Sequence, residues 1–156
     1  MHRSRVLSAV LLTGFGGLLT TAARADSSVK TVNGHVEDQV VSVGCQSPYG
    51  LCTAGRLTGG IQGDLEFTIT SLAPTAAPGV LLVTAASTIH TATGDINCND
   101  SGSFNTAPAS DGEGVHLCRI TGGTGEFLGA SGYLQETFNF IGSSGVGDYK
   151  GKIVMA

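Results

Sequence analysis

Three histidines stand beyond residue 25: His35, His90 and His116. Imidazoles drawn together from three strands would make a three-His zinc site, and one beside a carboxylate would move protons. Each falls in a different strand candidate and no spacing favours convergence, so no metal is expected. Asp64 and Glu66 share a strand face in the way acid–base work requires, but the solvated exterior of a strand gives the same pattern. Asp95-Ile96-Asn97-Cys98-Asn99 follows the first five positions of a calcium loop. It then places Asp100 where the sharp turn needs Gly, and Thr106 where the bidentate Glu belongs. Gly123-Thr124-Gly125 begins a dinucleotide fingerprint, but Leu128 occupies its third glycine position and no helix pattern follows. Gly142-Ser143-Ser144-Gly145 misses the register of a nucleophile elbow. The chain thus carries no motif for a nucleophile, a phosphate cradle or a cofactor, and none is expected.

The four cysteines have a different chemistry. Cys45, Cys52, Cys98 and Cys118 form an even set, and the segment before them marks an export route. Arg3 and Arg5 precede an apolar stretch from Val6 to Leu19, and Ala23-Arg24-Ala25 supplies small residues for a peptidase. Residues 1–25 read as a signal peptide cut between Ala25 and Asp26, and residues 26–156 as one domain, secreted or periplasmic. Four cysteines allow three pairings. Cys45 and Cys52 bracket the short loop Gln46 to Leu51, and Cys98 and Cys118 lie at equal distance from Pro108 in a loop between two strand candidates. Cys45–Cys52 and Cys98–Cys118 are the expected bonds. The expected mature chain keeps five basic and twelve acidic residues, a formal charge of −7. With no Lys/Arg cluster, that balance argues against nucleic acid and anionic membranes as partners. After Ala25 no apolar run is long enough to span a bilayer as a helix, so stable membrane insertion is not expected either.

Period-2 alternation dominates the elements that must carry these residues. From Gly55 to Thr70, Leu57, Gly59, Ile61, Gly63, Leu65, Phe67 and Ile69 share one face, and Arg56, Gln62, Asp64 and Glu66 the other. A helix would scatter both sets; a half-buried strand separates them. The glycines inside suit the bends by which a sheet curls into a barrel. Further strand candidates are Val29–Val43, Val80–Thr91, Gly94–Phe104, Gly114–Thr121, Gly125–Phe140 with a break, and Tyr149–Met155. Asn33-Gly34 and Asp111-Gly112 are hairpin-type dipeptides, and Gly142 to Gly147 reads as a Gly/Ser connection. The fold class is all-β: a small antiparallel barrel, closed or nearly so.

The most specific string is Ile120-Thr121-Gly122-Gly123-Thr124-Gly125-Glu126-Phe127-Leu128-Gly129-Ala130-Ser131-Gly132-Tyr133-Leu134. It resembles the G-G-T-G-x-F-x-G-A-x-G signature of bacterial exported proteins that look like allene oxide cyclases and, more distantly, dirigent proteins. Gly63-Asp64-Leu65-Glu66-Phe67 is similar to an earlier part of that pattern. The resemblance implies an eight-stranded, calycin-like antiparallel barrel, often with an apolar cavity. It marks a fold and carries no catalytic residue over to this chain.

A surface or matrix protein using its sheet exterior is one function class, although with no Trp and few aromatic residues a large adhesive interface is not expected. Two further classes follow. One is an exported barrel binding a small apolar molecule without catalysis, with Leu57, Ile61, Leu65, Phe67, Ile69 and Phe127 as cavity candidates. The other is a cyclase or isomerase of the allene oxide cyclase type acting on a lipid or polyketide-like substrate, where positioning does much of the work. The lining discriminates them: an inward Glu, His or Tyr, with Glu66, His90, His116 and Tyr133 as candidates, would point to catalysis.

Overall fold

The alternation becomes eight antiparallel strands in a computed structural model describing residues 27–106 and 111–156. They are β1 (Ser28–Val41), β2 (Cys52–Gly59), β3 (Gly63–Pro74), β4 (Val80–Thr91), β5 (Gly94–Asn105), β6 (Asp111–Gly123), β7 (Ser131–Ile141) and β8 (Ser144–Met155). Each pairs with the next, and β8 pairs with β1 along its length, giving a closed eight-stranded barrel. Closure leaves no edge strand among the described residues to template pairing with another chain. The expected leader, its cleavage point at Ala25 and Asp26, and Pro108 lie outside the described residues.

Several sequence boundaries are corrected. Gly55–Thr70 is a hairpin spanning β2 and β3, not one strand. Gly59, at φ 98°, takes the chain out of β2, and Leu57 comes to stand opposite Gly63. The turn preserves the alternation, so one unbroken pattern runs through two strands. Asn33-Gly34 is no turn but lies mid-β1, where Gly34 is opposite both Gly59 and Tyr149. A side chain on Gly34 would overlap the Thr58 carbonyl and the Tyr149 ring, so glycine serves close approach there. Asp111-Gly112 likewise opens β6, opposite Ile141 and Phe140. The Gly/Ser connection shrinks to Gly142-Ser143, because β8 begins at Ser144. The break in Gly125–Phe140 is a 3-10 turn, Gly125–Phe127, ahead of β7.

Inward side chains fill one end of the barrel. Leu57, Ile89, Ile96, Leu134 and Ile153 are almost wholly buried there with Val32, and Ile61 and Phe127 pack against them. Each such aliphatic side chain contributes about 1.5–3 kcal/mol by leaving water. Tyr149 seals the layer with its hydroxyl, which accepts from Ile61 N–H at 2.8 Å and donates to the Thr58 carbonyl at 2.9 Å.

Both disulfides are present, Cys45–Cys52 and Cys98–Cys118, and they fit an oxidising, extracellular-type environment. The second is diagonal. A register shift at Asn97/Cys98 sets Cys98 opposite Ile120 and Asp100 opposite Cys118, with 5.3 Å between the bonded residues' Cα atoms. The first ties the β1–β2 loop to the opposite end, where Ser47 Oγ donates to the Ile69 carbonyl at 2.7 Å.

Candidate functional site

The unfilled end holds a cavity of about 300 Å³. Its upper wall is aromatic and aliphatic: Phe104, Phe138 and Phe140, with Val40, Leu72 and Leu81. Leu72 comes inward because a second register shift, between Ile69 and Ser71, resets the phase of β3. Small inward residues make the room. Gly114 on β6 faces Phe138 on β7, which faces Gly147 on β8, and a side chain at either glycine would overlap the Phe138 side chain.

Deeper in, the wall turns polar. Asp38 of β1, His116 of β6 and Glu136 of β7 line the cavity, and Asp100 of β5 lies beside them. His116 and Glu136 are register partners, and His116 Nε2 sits 3.0 Å from Glu136 Oε2. The same nitrogen lies 3.9 Å from Asp100 Oδ1. The His116 ring stacks on Phe67 at 5.4 Å between centroids and tilts against Phe138 at 5.7 Å. The Phe67 face stacked on the imidazole favours its cation.

Burial and charge compete across this group. Burial disfavours the His116 cation, yet Glu136, Asp100 and Asp38 outweigh it and hold the imidazole above its ordinary pKa. Burial pushes Asp100 up to about 6, opposed by the His116 charge. Asp38 is also raised, first by burial and then by Glu136, against the lowering effects of Thr53 and His116. The Ser87 hydroxyl tempers the Asp100 charge without making a full hydrogen bond to either oxygen, and His116 Nδ1 has no partner. A buried, half-satisfied polar network inside an apolar barrel is costly to keep, and such networks gather at sites of function.

Leu65, Phe67 and Ile69 lie on the cavity wall; Leu57, Ile61 and Phe127 sit in the packed end beyond it. Of the polar candidates only His116 points inward. Glu66, His90 and Tyr133 are on the outer face, where His90 pairs with Asp95 at 2.8 Å. His35 is also outside, paired with Asp148 at 3.2 Å, so the three histidines do not converge. Asp38, Asp100 and Glu136 were not singled out from the sequence. The signal was present: each falls in phase with buried apolar neighbours, Asp38 after Val36, Asp100 after Cys98 and Glu136 after Leu134. No protein-family model, curated protein or solved structure matches the chain.

Proposed function

We propose that this barrel binds a small, largely apolar molecule in the open-ended cavity, its polar end reaching the Asp38–His116–Glu136 floor. The observation that carries the reading is the cavity itself: room for one small ligand, apolar walls and a few convergent polar groups. Titrating an apolar fluorescent dye into the protein tests it. Saturable binding by the wild type, lost in a Leu81→Trp variant of unchanged fold, is the expected result.

A second reading is acid–base catalysis by a cyclase or isomerase of the allene oxide cyclase type, since residues 120–134 resemble a signature of exported proteins that look like those enzymes. It is favoured by the His116–Glu136 contact, since a carboxylate-held imidazole on a cavity wall can shuttle a proton to a bound ligand. Its own test is isotopic. Solvent deuterium entering a bound enolisable ketone at a rate that His116→Gln abolishes would separate catalysis from binding.

A further inference from the structure

The binding reading above leaves the ligand's head group open, and the charges in the cavity narrow it. Three carboxylates, Asp38, Asp100 and Glu136, face a single basic group, His116. Among the described residues, the Lys and Arg side chains belong to strand positions whose alternation points them outward, such as Arg56, which pairs with the exposed Asp64. With His116 charged and all three acids ionised, the floor therefore holds two negative charges in excess. Independently of that count, the Asp100 side chain is only 1% exposed beside the cavity wall, the Ser87 hydroxyl tempers its charge without making a full hydrogen bond, and its Oδ1 faces His116. A buried carboxylate short of donors costs free energy, and a cationic guest on the wall beside it would offset part of that cost.

We infer that the cavity's ligand is an amphipathic organic cation: a flat or short apolar body carrying one protonated amine that sits among Asp38, Glu136 and the His116–Asp100 pair. The inference rests on the proposed binding role. Folding has already taken Asp100 and Glu136 largely out of water, so part of the desolvation cost is met before the guest arrives. The fit extends to the walls, because Phe67, Phe104 and Phe138 line the cavity and give the guest's hydrocarbon body apolar aromatic surface. A carboxylate-headed guest would instead meet like charge in a poorly screened site.

Three probes of one shape decide it: 4-phenylbutylamine, 4-phenylbutanol and 4-phenylbutyrate, each titrated calorimetrically into the wild-type protein near pH 8. The amine should bind about tenfold or more tightly than the alcohol, and the carboxylate least. In an Asp38→Asn, Glu136→Gln double variant the amine's advantage over the alcohol should collapse while alcohol binding persists. Equal or tighter binding of the alcohol or the carboxylate by the wild type overturns the cationic inference and leaves the apolar-binding reading standing. If none of the three binds, that reading falls, and this one with it.

Discussion

Asp38 and Gly145 stand opposite each other across the seam where β8 closes onto β1, and a methyl group on Gly145 would overlap the Asp38 carboxylate. The absence of a side chain at one position thus sets where a cavity acid sits. Gly145→Ala should displace that carboxylate, and because only the end of a side chain must yield, it should cost about 1 kcal/mol of stability. Urea denaturation measures the loss, and an unchanged midpoint would mean that Asp38 has another place to go.

Leu65 and Asp64 are neighbours on opposite faces of β3. Leu65 is 6% exposed against the cavity, whereas Asp64 lies outside and meets Arg56 at 3.3 Å. Leu65→Ala should cost on the order of 2–5 kcal/mol, and Asp64→Ala no more than about 0.5, because an exposed ion pair contributes little. The same denaturation series compares them. Equal losses would place the strand in the opposite register.

Acidification should stabilise this barrel through its floor. Asp100 is held at about 6, above its ordinary value near 4, so its proton is bound more tightly in the folded chain. Its contribution is fully present below pH 4 and is lost as pH rises through 6, on the order of 2–3 kcal/mol. Asp38, also raised, acts in the same direction. His116, raised as well, adds stability that is lost as pH rises above its own elevated value, while Glu136 faces all three. Asp100→Asn should flatten the fall between pH 4 and 6 in a plot of unfolding free energy against pH. Wild-type and variant curves of the same slope would show that Asp100 does not carry the effect.

Cys98 and Cys118 close a loop worth about 3 kcal/mol on the chain-entropy account, and Cys118 lies opposite Asp100. A Cys98→Ser, Cys118→Ser double variant should lose about 2–4 kcal/mol. Because its bond ties together the two strands that hold His116 and Asp100, probe affinity should fall too. Loss of stability with affinity intact would separate the bond from the site.

The architecture was legible because the side-chain period of a strand is independent of the turns between strands. Alternation exposed the inward face of Leu57, Leu65 and Phe67 even where it concealed the hairpin at Gly59–Gln62. Turn dipeptides misled at Asn33-Gly34 and Asp111-Gly112, since close backbone approach selects glycine as strongly as a turn does. The Gly/Ser run 142–147 misled in the same way, for Gly145 and Gly147 are strand residues chosen for what faces them. The polar floor was only half legible. An acid in phase with apolar residues announces an interior charge, but Asp38, Asp100, His116 and Glu136 lie on four strands, and only the pairing of β5, β6 and β7 and the β8–β1 seam bring them together.

The central claim, that the open-ended cavity receives a small apolar guest, is tested most directly by methyl NMR during titration with 4-phenylbutanol. Leu65, Ile69, Leu72 and Leu81 line the cavity, whereas Ile89, Ile96 and Ile153 lie in the packed end. Saturable shifts are expected in the first group, with the second group unmoved. No shifts at all, or shifts confined to exterior side chains such as Leu82 and Leu117, would contradict it.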